Sequence, residues 1–148
     1  MAAVALKNQL NAHIAAMYAA GSVDEQFQQL QMLQDDGGSP GFVGEVVNLF
    51  IDDADKILGD IAALLEQPVV DFDKVDGLVH QLKGSSASVG AGKVKLMCQQ
   101  FRQFFDVKSR DGCLMALTIV RNEFCDIRNK FQTMLQLEEQ IEAYAPKQ

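Results

Sequence analysis

The chain has 148 residues, 48% of them hydrophobic and 22% charged, and its 13 basic and 20 acidic side chains leave a formal net charge of -7. That length suffices for one soluble domain around a single core and is too short for two sizeable ones. The acidic balance excludes a partner bound through a nucleic-acid backbone, and no uninterrupted apolar run reaches the roughly 18 residues that would read as a membrane span.

Met1 to Ala20 is Ala-rich, but Lys7, Asn8, Gln9, Asn11 and His13 interrupt it and no basic region precedes it, so it reads as a helix rather than a signal peptide. Val4, Leu6, Leu10, Ile14 and Met17, then Phe27, Leu30 and Leu33, recur every three or four positions. They predict two short helices within residues 1–36, separated by Gly21-Ser22-Val23-Asp24, with Asp24 or Ser22 as the second N-cap. The run Asp35-Asp36-Gly37-Gly38-Ser39-Pro40-Gly41 is the clearest break, read as a connection inside one domain spanning 1–148.

Residues 42–142 carry four longer patterns. From Phe42 to about Glu66, the apolar set Val43, Val46, Val47, Phe50, Ala54, Ile57, Ile61, Leu64 and Leu65 keeps helical spacing over about 37 Å. Gln67-Pro68 stops it, and Asp71 or Asp73 opens a second helix with Phe72, Val75, Val79, Leu82, Ser86 and Val89 on one side. Gly90 and Gly92 mark a corner, followed by a helix with Val94, Cys98, Phe101 and Phe105 inward and then by Lys108-Ser109-Arg110-Asp111 as a turn. The last helix runs to about Ile141 on Leu114, Leu117, Val120, Phe124, Ile127, Phe131 and Met134, and the tail 145–148 is expected to fray. Short connections make such helices antiparallel neighbours. The predicted fold is therefore all-α: an up-down-up-down four-helix bundle with two additional short N-terminal helices on its flank or end.

His80 stands on the wrong face for a core residue. At 100° per residue, the inward set of residues 71–89 lies about 220° away from it, whereas Asp73, Asp76, Gly77, Lys83, Gly84 and Ala87 fall within about 60°. The imidazole therefore points at solvent. Lys83, at i+3, brings an ammonium to the same patch, and Gly84, at i+4, leaves the ring unobstructed although glycine inside a helix costs about 1 kcal/mol relative to alanine. A nucleophilic ring, a cation and room for an anion are what a phosphoryl carrier requires. Asp73 and Asp76 either orient the ring or are solvated carboxylates that favour the helix start, the second reading being preferred. His13 lacks such company and reads as a helix-flank residue.

Other features are decoys. Gly90-Ala91-Gly92-Lys93 resembles the end of a phosphate loop, but Ala87 stands where the leading glycine belongs and Val94 where a hydroxyl would meet a magnesium ion. Lys95 replaces the third glycine of a dinucleotide fingerprint. Ser85, Ser86 and Ser88 lack an activating pair, and Ser86 faces inward. Cys98, Cys113 and Cys125 are odd in number and widely spaced, which predicts free core thiols in a reducing compartment and no metal site.

The stretch His80-Gln81-Leu82-Lys83-Gly84-Ser85-Ser86, continuing through Ala87-Ser88-Val89-Gly90-Ala91, resembles the active-site helix of histidine-containing phosphotransfer (HPt) proteins. Pro68-Val69-Val70-Asp71-Phe72, Val94-Lys95 with Cys98, Phe101-Arg102, and Gln132-Thr133-Met134-Leu135-Gln136-Leu137-Glu138 are similar to the plant branch, so the likeness runs from about Val23 to Ile141. The resemblance implies a phosphorelay mediator of two-component signalling. His80 would take a phosphoryl group from a receiver-domain aspartate of a hybrid sensor histidine kinase and pass it to an aspartate of a response regulator. Lys83 would stabilise the phosphate and Gly84 would give clearance. Where some microbial members place a glutamine against the active histidine, this chain has Arg102, with Gln99 and Gln103 nearby. The plant branch further implies cytokinin signalling and residence in cytoplasm and nucleus. No intrinsic cofactor is expected, Mg²⁺ belonging to the partner receiver, and the carrier is expected to lack kinase activity and to work as a monomer. Attraction to acidic receivers would come from Lys83, Lys93, Lys95 and Arg102. The competing classes are a helical adaptor that binds receivers without carrying phosphate, and a small hydrolase, which lacks a convergent polar cleft.

Overall fold

A computed structural model describes residues 2–38 and 41–144. Among these the chain forms seven helices and no strand: α1 Ala2–Ala19, α2 Glu25–Asp35, α3 Phe42–Leu65, α4 Phe72–Val89, α5 Gly92–Gln99, α6 Arg102–Asp106 and α7 Arg110–Ala143. The expected fraying at 145–148, and Ser39-Pro40 of the predicted connection, lie outside the described residues.

The helix starts are set by side chains that satisfy amides with no intrahelical partner. The Asp24 carboxylate accepts from Gln26 N at 3.0 Å and opens α2, the Asp71 carboxylate accepts from Lys74 N at 3.2 Å and opens α4, and the Ser109 hydroxyl accepts from Gly112 N at 2.9 Å and opens α7. Helix α3 packs on α4 and α7, and α5 closes the bundle between α4 and α7. The third member is thus the broken rod α5–α6. Helix α1 lies along α7, while α2 lies over α3 and α4. The two N-terminal helices therefore sit on the flank.

The buried side chains form one contiguous cluster. Its centre is aromatic: the Phe50 ring meets Phe124 and Phe131 edge-on at centroid distances of 5.9 and 6.3 Å, and Phe27 of α2 reaches Phe131 at 5.5 Å. Val75, Val79, Leu82, Ser86 and Val89 of α4 all point into this core. The Ser86 hydroxyl donates to the Leu82 carbonyl at 2.7 Å, which lets a polar side chain be buried there.

Several sequence expectations need correction. The helix expected to run from Val94 through Phe105 is interrupted after Gln99. Gln100 N donates to Met97 O and Phe101 N to Cys98 O, the tighter i to i+3 pattern that ends a helix, and it turns Phe101 fully inward while leaving Phe105 only half-buried. The expected turn Lys108–Asp111 is shorter, because Arg110 and Asp111 already belong to α7. On α7 the inward register takes Cys113 rather than Leu114, which is 38% exposed. Val4 and Leu33 are likewise exposed, and Leu58, absent from the expected set, is buried. Cys98 and Cys113 are core residues, but Cys125 is only half-buried, beside Arg128. His13 does more than flank its helix: its Nε2 donates to the Lys130 carbonyl at 2.7 Å, fastening α1 to α7.

Candidate functional site

Helix α4 runs from its Asp71 cap to Gly90, whose left-handed φ of 74° ends it. His80 lies midway, exposed, between the buried anchors Val79 and Leu82. Those anchors hold the backbone while the imidazole faces outward.

On one side of His80 is a depression of about 330 Å³ lined by Asp76, Val79, His80, Lys83, Cys98, Gln99, Arg102 and Phe105. The α4 wall supplies the imidazole and the Lys83 ammonium, and the α5–α6 wall supplies Gln99 and the Arg102 guanidinium. Two cations from different helices thus converge on one histidine. Burial pushes the Cys98 thiol up to about 12, with the nearby Lys83 charge acting weakly in the opposite direction. The floor of the depression is accordingly an uncharged thiol and apolar carbon. Among the described residues, the histidine ring engaged in a hydrogen bond is His13, not His80, and the ion pair is Lys130 with Asp126, at 3.0 Å. His80, Lys83 and Arg102 are thereby left available to a ligand.

Not every expected residue shares this depression. Gly84 opens on the other flank of α4, in a groove against α3 lined with Asp53, Lys56, Asp60, Gln81 and Ser85. His80 therefore stands on a ridge between two hollows. A Cβ added at Gly84 or Gly77 would meet no atom within 4 Å, so the ridge is clear on the solvent side. Of the two carboxylates considered, Asp76 lines the His80 depression, whereas Asp73 lies at the bundle end with Val69, Phe72 and Lys108. Gln99 is on the depression and Gln103 is not. Lys93 is turned toward Gly21, and neither it nor Lys95 lines the depression. Sequence reasoning assigned Cys98 and Phe105 wholly to the core. Their spacing with Arg102, at i, i+4 and i+7, was the signal that one stripe of this rod faces His80.

The surroundings invite comparison with known proteins. The family model for the Hpt domain matches residues 45–145. The chain is 73% identical to histidine-containing phosphotransfer protein 2 of rice (Oryza sativa subsp. japonica), over 100% of this chain and 99% of that protein. The chain belongs to the histidine-containing phosphotransfer family. Solved HPt structures agree with the fold. One from rice superposes with a TM-score of 0.91 at 70% identity, covering 96% of this chain and 99% of that one. Another, from Medicago truncatula, gives 0.91 at 41% identity, covering 96% of each chain. The matched Hpt region begins within α3 and takes in all of α4 to α7, so the His80 ridge and both hollows fall inside it.

Proposed function

We propose that this chain is a phosphocarrier of two-component phosphorelays and that His80 is its phosphorylated residue. The observation that carries the proposal is the exposed imidazole of α4 beside the Lys83 and Arg102 cations, which approach from two helices. An unprotonated ring nitrogen attacks the phosphorus of a receiver's aspartyl phosphate. The N–P bond forms as the P–O bond to the aspartate breaks, and the carboxylate leaves with the electron pair. The reverse step, onto a response-regulator aspartate, uses the same nitrogen. Such transfer depends on positioning and on neutralising the phosphoryl oxygens, a role suited to Lys83 and Arg102 here and to Mg²⁺ held by the receiver.

Donor and acceptor use the same ridge in turn, because each must bring an aspartate within bonding distance of one atom. The donors are receiver domains of hybrid sensor histidine kinases and the acceptors are response regulators. The chain works as a monomer without kinase activity or a cofactor of its own. The resemblance to the plant branch is the ground for placing it in cytokinin signalling and for proposing residence in cytoplasm and nucleus.

Incubation with a phosphorylated receiver and Mg²⁺ tests this reading. The chain should acquire an acid-labile, alkali-stable label that disappears in His80→Gln, with the variant still folded. Label persisting in that variant sinks the assignment to His80. A variant that restores receiver signalling as well as the unaltered chain does would favour an adaptor that carries no phosphate.

A further inference from the structure

We propose that Gly112 is a positioning residue for phosphotransfer, acting by seating Phe104 on the α7 backbone and so holding Arg102 beside His80. This rests on the functional reading above and adds a residue remote from the depression itself.

Helix α6 has five residues, none fully buried, and no side chain caps it. So short a segment does not fix its own place. Its position comes from the corner that follows. Lys108 adopts a left-handed φ of 50°, turning the chain back toward α7. Ser109 N then donates to the Phe104 carbonyl at 3.0 Å, while the Ser109 hydroxyl accepts from Gly112 N at 2.9 Å. Over this knot, the Phe104 ring lies directly against Gly112, which is buried. A Cβ at Gly112 would fall 2.7 Å from Phe104 Cγ and would overlap Cδ1 more severely. Because Cγ lies on the axis about which the ring spins, spinning it relieves nothing. The side chain must swing out or α6 must move.

The consequence reaches the site through helical geometry. Arg102 and Phe105, three residues apart, line the His80 depression, while Phe104 is turned to α7. A shift of α6 that relieves the contact, or that follows loss of the Phe104 anchor, carries the Arg102 wall with it. Alanine would otherwise be favoured over glycine inside a helix, so a loss on substitution reports the steric contact and not helix propensity.

The test compares Gly112→Ala and Phe104→Ala, the second releasing the same anchor without adding bulk, alone and combined with Arg102→Gln. Each protein is first checked for a cooperative melt. In NMR spectra, both variants should shift the His80 ring and Arg102 Hε signals and leave the His13 ring signals in place. With a phosphorylated receiver, each should transfer about tenfold more slowly than the unaltered chain, the scale expected for a modest misplacement of a transition-state contact. On the Arg102→Gln background the further loss should shrink to less than about twofold, since both changes remove the same contact. Folded variants that transfer at the unaltered rate overturn the proposal. So does a loss that multiplies undiminished with Arg102→Gln, or NMR signals at His80 and Arg102 that do not move. An unaltered chain that takes no label speaks against His80 as carrier, while the NMR comparison still judges the positioning.

Discussion

His80 is exposed on a helix whose neighbouring positions, Val79 and Leu82, are buried, so its orientation follows from the register of α4 and not from any contact of its own ring. The glycine one turn along has a matching logic. Gly84 keeps helical conformation in the interior of α4, where a Cβ would meet nothing within 4 Å. Packing does not require a glycine there. Gly84→Ala is therefore expected to stabilise the fold by about 1 kcal/mol and raise Tm by about 2–4 °C. Gly84→Gln, also a good helix former, should fold as well yet slow transfer from a phosphorylated receiver by about tenfold or more, because its side chain stands where the partner must approach. A melting series paired with transfer rates checks both halves, and unimpaired transfer by the glutamine variant would remove the clearance role of Gly84.

At the scale of helices, burial acts on ionisation as well as on packing. Glu138 of α7 is half-buried beside Leu135, and burial raises its carboxyl above the ordinary value of 4.5. Between those two values the folded chain holds a proton that the unfolded chain has lost. The associated stability is thus fully present below pH 4.5 and disappears as pH rises through the folded value, leaving a buried charge at neutrality. Glu138→Gln should raise Tm at pH 7 and have little effect at pH 4; thermal melts at the two pH values decide, and an equal gain at both would show that charge burial is not the cause. The same helix shows how far patterns carry. Phe124, Ile127, Phe131 and Met134 were legible because large apolar residues at three- and four-residue spacing leave one register. Near its start, Cys113 and Leu114 are adjacent and both apolar; the larger Leu114 drew the sequence reading, but the register of Leu117, Val120 and Phe124 carried back along the same helix puts Cys113 on the buried face. The outward face of α4, and with it His80 and Lys83, was legible for the reason that the core of α7 was. Arg102 was reached through the family resemblance, and its spacing with Cys98 and Phe105 carries the same signal, whereas the break between α5 and α6 was not legible, because no local breaker such as proline marks it.

Across the whole molecule, the N-terminal helices are joined to the bundle along α7 through His13 and, at the other side, at the corner that ends α4. Asp24 N donates to the Gly90 carbonyl at 3.0 Å, the Asp24 carboxylate caps α2, and Phe27, one turn on, reaches into the core against Phe131. Gly90 makes this possible twice over. Its φ of 74° is a conformation that costs other residues roughly 1–2 kcal/mol, and a Cβ there would lie 2.7 Å from the Asp24 carboxylate and collide with the backbone N of Phe27. Since backbone cannot rotate away as a side-chain tip does, α2 would have to lift. Gly90→Ala should lower Tm by roughly 5–10 °C. It should also admit protease cleavage between α1 and α3 at temperatures where the unaltered chain resists. Gly92 supplies the control. Its φ is not left-handed and a Cβ there would approach nothing nearer than 3.4 Å, so Gly92→Ala should stay within about 2 °C of the unaltered Tm. Equal Tm values for the two variants would mean that the joint is looser than its geometry requires. Because His80 lies ten residues up α4, about 15 Å along the axis, Gly90→Ala assayed below its melting range should still accept phosphate, which separates what the flank contributes to stability from what the ridge contributes to transfer.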